Sequence, residues 1–239
     1  YALIGGGVQS GNRTMTGNVT LNSARDVNLQ GGTGNNGWAQ VGNGALAGTG
    51  TYSGDVSVTA ARNVTVSGGT GNDDAYALLG NGGAQAGSTT SGNVTVNALA
   101  GQVQLNGGAN AGLATPGAAD TPNFAQIGLG GHNNTGNHSG TVTVNADVID
   151  LNAGATTESY VQIGVGGHGA TGNLTGTVNI NTDAASGAGA ITLDAGAGTD
   201  AYAMIGTGGA DTDGGTKGGD VTIARACLLY TSPSPRDDT

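Results

Sequence analysis

Apolar and polar residues alternate strictly in six short stretches of this chain. They are Gly17-Asn18-Val19-Thr20-Leu21-Asn22, Gly54-Asp55-Val56-Ser57-Val58-Thr59, Gly92-Asn93-Val94-Thr95-Val96-Asn97, Gly140-Thr141-Val142-Thr143-Val144-Asn145, Gly176-Thr177-Val178-Asn179-Ile180-Asn181 and Gly219-Asp220-Val221-Thr222-Ile223-Ala224. A period of two rich in β-branched residues predicts half-buried strands. Val19/Leu21, Val56/Val58, Val94/Val96, Val142/Val144, Val178/Ile180 and Val221/Ile223 should point inward, and the Thr, Ser, Asn and Asp between them should face water. No stretch keeps apolar residues at helical spacing over three turns, so no helix is predicted.

Each alternating stretch follows a second phrase that also occurs six times. Its copies are Tyr1-Ala2-Leu3-Ile4-Gly5, Trp38-Ala39-Gln40-Val41-Gly42, Tyr76-Ala77-Leu78-Leu79-Gly80, Phe124-Ala125-Gln126-Ile127-Gly128, Tyr160-Val161-Gln162-Ile163-Gly164 and Tyr202-Ala203-Met204-Ile205-Gly206. A third segment is shorter: Val27-Asn28-Leu29, Val64-Thr65-Val66, Val103-Gln104-Leu105, Ile149-Asp150-Leu151 and Ile191-Thr192-Leu193. Glycine-rich turns follow it, as in Gly31-Gly32-Thr33-Gly34.

Six imperfect repeats of 36–48 residues mark a solenoid. The fold expected is all-β, a parallel β-helix whose strands stack about 4.8 Å apart. One coil cannot bury its own apolar face, so stability must come from stacking on neighbours. From the inward residue of the first phrase to that of the alternating stretch is 17 residues in five copies, as from Ile4 to Leu21. That constancy slightly favours two coils per repeat over one. Six of the eight aromatics head the repeat phrase, which predicts a stack of rings along one edge.

The longest repeat carries an insertion around residues 106–123 holding Pro116 and Pro122. Proline cannot donate to a strand ladder, so a loop outside the coil is expected there. Residues 1–225 read as one repeat region, an internal fragment of a longer protein, because Tyr1 opens in mid-phrase. Residues 226–239 break the alternation, with two prolines and Cys227. They resemble translated sequencing-adapter read-through of assembled environmental reads, and a disordered, non-native tail is expected.

With the strand pattern fixed, composition narrows the role. A net charge of −10 argues against a basic nucleic-acid footprint and against binding to an anionic membrane. No apolar run is long enough to span a bilayer.

The phrases Tyr-Ala-x-Ile-Gly-x-Gly-Gly, Gly-x-Val-x-Val-Asn-Ala and x-Val-x-Leu-x-Gly-Gly make residues 1–225 resemble bacterial filamentous-haemagglutinin-like exoproteins and large autotransporter-type adhesins. Phe124–Gly131 with Gly140–Ala146, and Tyr160–Gly167 with Gly176–Thr182, match best. The resemblance implies a right-handed parallel β-helix, secretion to the cell surface, and adhesion to host or neighbouring-cell surface molecules, glycans included. It carries over no catalytic residue and no cofactor, so a non-enzymatic segment is expected. Two alternatives stand beside it: the β-helix scaffold of a carbohydrate-active enzyme, and an ice-binding solenoid.

Chemical signals are sparse. Gly68-Gly69-Thr70-Gly71-Asn72-Asp73 resembles one unit of a calcium-binding nonapeptide, but such sites need tandem copies. His132 and His168 sit at matching positions 36 residues apart. Two histidines without a third ligand make a poor metal site, so exposed loop histidines are expected and no metal residue is assigned. Asp55, Asp147, Asp150, Asp194, Asp200, Asp211, Asp213 and Asp220 read as a solvated acidic face. The outward rows Asn18/Thr20/Asn22, Asn93/Thr95/Asn97, Thr141/Thr143/Asn145 and Thr177/Asn179/Asn181, with the 106–123 loop, form the candidate binding surface.

Overall fold

The computed structural model describes residues 1–71, 73–109, 122–182, 190–224 and 227–228. Within them the protein is a right-handed parallel β-solenoid. All described strands pair in parallel, and none of these residues is helical.

Three sheets run along the stack. The first takes the strand of each aromatic-headed phrase: Ala2–Ile4, Ala39–Val41, Ala77–Leu79, Ala125–Gly130, Val161–Gly166 and Ala203–Gly208. The second is a double column. Gly7–Thr16, Gly44–Ser53 and Gly87–Ser91 precede Val19–Ser23, Val56–Ala60 and Val94–Ala98. The two columns fuse into single strands at His138–Ala146 and Leu174–Thr182, and the last repeat adds Lys217–Gly218 and Val221–Ala224. The third sheet stacks Val27–Gln30, Val64–Ser67, Gln102–Asn106, Val148–Asn152, Ala190–Asp194 and Cys227–Leu228.

The register answers the question of coils per repeat. Ala2 pairs with Ala39, Ala39 with Ala77, Ala77 with Ala125, Ala125 with Val161, and Val161 with Ala203. Equivalent phrase positions therefore meet one repeat apart, and each repeat is a single coil. The lean toward two coils is corrected here. The 17-residue spacing separates two different sheets of one coil rather than two stacked strands.

The main core is the expected column of Val, Ile and Leu, with Val58, Val96, Val144 and Ile180 fully buried. Val221 and Ile223 keep the inward register, yet they are 45% and 41% exposed. Ile4, at the opposite end of the stack, is 51% exposed. Each has a described neighbouring coil on one side only, so half of its packing surface is open.

The four middle strands of the first sheet are buried on both faces. Leu78 belongs to a second core with Trp38, Leu46, Tyr76, Ala84, Phe124 and Tyr160. The rings form the expected stack, with centroids 4.4, 5.9, 4.8, 4.9 and 4.9 Å apart from Tyr1 through Tyr202 and planes within 9° of parallel. The typical centroid separation matches the strand spacing, so backbone register imposes the ring geometry.

Of the insertion, residues 110–121 lie outside the described residues; Pro122, two residues before Phe124, is buried. Within the tail, Cys227–Leu228 pairs with Ala190–Ile191. The other tail residues lie outside the described set.

Candidate functional site

Two features of the stack carry chemistry: an outward polar ladder and a buried polar corner. The ladder arises because equivalent residues stack in register. One column runs Thr20, Ser57, Thr95, Thr143, Asn179, Thr222, and its neighbour runs Asn22, Thr59, Asn97, Asn145, Asn181. In the second column the amide groups bond along the stack. Asn97 donates to Thr59 Oγ1 at 3.1 Å, Asn145 to Asn97 Oδ1 at 2.6 Å and Asn181 to Asn145 Oδ1 at 2.8 Å. Such ladders add cohesion between coils while leaving a repeating polar face.

The buried corner surrounds the aromatic column. Eight residues after the rings from Trp38 to Tyr202 come Leu46, Ala84, His132, His168 and Ala210. The register of this column is held by backbone bonds, as from Asn133 N to His168 O at 2.8 Å. The exposure expected of the histidines is corrected: His132 is 0% and His168 4% exposed. This column faces the second core, which takes in Leu46 and Ala84 from the same position, rather than a solvent loop. The imidazoles stack 5.3 Å apart with planes 13° from parallel.

Three carboxylates that were not linked to these histidines converge on them. Glu158 is 4% exposed. Its Oε2 lies 2.9 Å from His132 Nε2, and its Oε1 lies 3.7 Å from His168 Nε2. Asp211 Oδ2 and Asp200 Oδ2 stand 3.5 and 3.9 Å from the same His168 nitrogen. Asp200 and Asp211 had been read as part of a solvated face; their outer atoms keep that contact with water, while one oxygen of each faces the histidine. His132, Glu158 and His168 present three ligand-capable atoms within 4.8 Å of one another, and so do His168, Asp200 and Asp211.

A sequence signal for Glu158 existed. Two residues before each aromatic stand Asn36, Asp74, Pro122, Glu158 and Asp200. All but Pro122 have positive φ, between 45° and 56°. Asn and Asp tolerate this conformation; a glutamate there is unusual. Glu158 and His168 thus bracket Tyr160 at offsets that the coil brings together.

Asp74 shows what this column does to an acid. It is 2% exposed, and burial, then the adjacent Asp73 charge, push its carboxyl up to about 7. Gln85 donates to its Oδ2 at 2.8 Å. A raised folded-state value means that the native protein holds the proton more tightly than the unfolded chain. Its contribution is complete below the unfolded value near 4 and is lost as pH rises through about 7. Asp74→Asn copies Asn36 of the preceding repeat, keeps the Gln85 bond and removes the titration. It should leave stability unchanged at pH 4 and raise it by about 2–4 kcal/mol at pH 8. Urea unfolding at the two pH values checks this; an equal effect at both would contradict it.

The remaining candidates stay apart. Among the described residues, Asp73 joins no group of three ligand-capable side chains. Asp55 accepts a bond from Asn93 N, and Asp150 accepts from Gln104 and Asn152. Among the described residues, a shallow groove beside Leu99, Asn145 and Asn181 is lined by one carboxylate, Asp147. His138 is buried elsewhere, 2.8 Å from Thr90 Oγ1, and burial lowers it to about 4. No family model, curated protein or solved structure matches this chain.

Proposed function

We propose that this solenoid is a structural and binding segment of a secreted or surface-displayed bacterial adhesin. The observation that supports the reading is the in-register outward ladder, in which near-identical polar groups recur at every coil. A face of this kind offers many weak, equivalent contacts to a repetitive partner such as a cell-surface glycan. Linking such contacts raises overall avidity by 10²–10⁴ without any strong single contact.

The test compares the chain as a monomer with the chain displayed densely on beads, against arrayed glycans and intact cells. The monomer should bind weakly, and the beads at least ~100-fold more tightly to the same targets. Release of sugar ends from a polysaccharide would replace this reading with the enzyme scaffold. The same Thr column also supports ice binding as a second reading; thermal hysteresis without glycan or cell binding would establish that one instead.

A further inference from the structure

We propose that His132, Glu158 and His168 bind one zinc-class divalent ion that staples consecutive coils of the solenoid, with a solvent molecule as the fourth ligand.

The donor set is two imidazoles and a carboxylate, which suits Zn²⁺ and its first-row neighbours better than an oxygen-seeking ion such as Ca²⁺. Zinc holds such donors at about 2.0–2.2 Å in a tetrahedron, so tetrahedral donors stand roughly 3.4 Å apart. The separations of 2.9 Å for His132 to Glu158 and 3.7 Å for Glu158 to His168 straddle that value. No pair within His132, Glu158 and His168 exceeds 4.8 Å, so rotation of the two rings closes the set.

A second observation points independently to a ligand. His168 is 4% exposed, and neither of its ring nitrogens makes a hydrogen bond. Its Nε2 is aimed into three carboxylates, with every oxygen at 3.5 Å or beyond. A buried imidazole nitrogen left in this way is costly unless something bridges it to those oxygens. A cation does so, and it also neutralises the gathered negative charge.

The three protein ligands come from two successive coils: His132 from the coil of Phe124, and Glu158 and His168 from that of Tyr160. A bound ion therefore ties coils together where aromatic stacking already does. Its role is structural, and binding adds to folding stability.

The experiment is zinc binding to the whole chain after chelator treatment, by equilibrium dialysis with metal analysis, and cobalt substitution read by visible absorption. The parent chain should bind one Zn²⁺, unfold at a higher temperature with zinc, and give the intense visible bands of four-coordinate Co²⁺. His132→Ala and His168→Ala copy Ala84 and Ala210 of the same column, so they should fold. Metal-free circular dichroism checks that they do. Each should weaken zinc binding by more than ~100-fold, while Asp213→Asn, at an exposed position, should not. Substoichiometric zinc on the parent chain overturns the proposal. Parent-like affinity in either folded histidine variant does so too, as does Ca²⁺ bound as tightly as Zn²⁺.

Discussion

Gly164→Ala should abolish cooperative folding of the solenoid or lower its stability by about 4 kcal/mol or more, whereas Gly206→Ala should cost only about 1–3 kcal/mol. Both glycines end the repeat phrase, and both adopt a φ near +150° (152° and 151°) that side chains rarely enter. What differs is the neighbouring coil. A Cβ on Gly164 would lie 1.8 Å from the carbonyl oxygen of Gly206. On Gly206 the nearest atom is Met204 Cε at 3.3 Å. The first clash is with backbone inside a parallel ladder, and relieving it means separating two coils. The second needs a small movement of a flexible thioether. Urea midpoints for the two variants measure the difference directly. Equal losses would show that backbone conformation alone, and not the close approach of coils, demands glycine here.

Phe124→Ala carries the next largest effect, a loss of about 3–5 kcal/mol from truncating a buried ring. Phe124 is fully buried between Tyr76 at 4.8 Å and Tyr160 at 4.9 Å, with both interplanar angles 4°. It sits in the middle of the stack, so two aromatic contacts are lost together, each adding about 0.5–1.5 kcal/mol. The coils on either side also lose a shared surface. Phe124→Tyr places in the column the residue that its two neighbours already carry, and it should change stability by less than about 1 kcal/mol. Unfolding midpoints that fall equally in the two variants would mean that the column is sensitive to any change rather than to loss of ring area.

The two effects come from one arrangement. Glycine lets coils approach to strand-pairing distance at the corner, and the rings fill the space that this approach defines. The Gly-x-Gly arches are tied further by glutamine side chains at the third phrase position. Gln40 donates to Gly80 O at 2.9 Å, Gln126 to Gly166 O at 3.1 Å and Gln162 to Gly208 O at 3.1 Å. Each bond crosses from one coil to the next, and each glutamine is at most 1% exposed. Gly166 O and Gly208 O also accept backbone bonds from Gly131 N and Gly167 N, so the amides add a second, side-chain tie between the same coils.

The alternation at Val19/Leu21 and its five counterparts was legible from sequence because strand periodicity is a local property: adjacent side chains must take opposite faces. Repetition of the phrase then implied stacking, since identical segments that cannot bury themselves alone must bury one another. The aromatic column followed from the same reasoning. Coil size did not follow, because a constant spacing within a repeat cannot say whether its two ends lie in one sheet or two. The buried state of His132, His168, Gln126 and Asn81 was equally out of reach. Gln126 lies on the outer side of the first sheet and the histidines just beyond its strands, where a second core covers them only once the chain has wound around. Asn81 takes the inward position that Leu129 and Val165 hold in later repeats. Asn81 illustrates the point: its amide donates to Gly54 O at 2.7 Å and to Ser91 O at 3.0 Å, bridging segments 27 and 10 residues away. Glu158 joined the histidines for the same reason, since its neighbours are set by coil register and not by proximity in the chain. Sequence alone thus determined which residues stack, because stacking repeats a local pattern. Tertiary structure decided which polar groups are enclosed together, because enclosure depends on where each coil crosses the next.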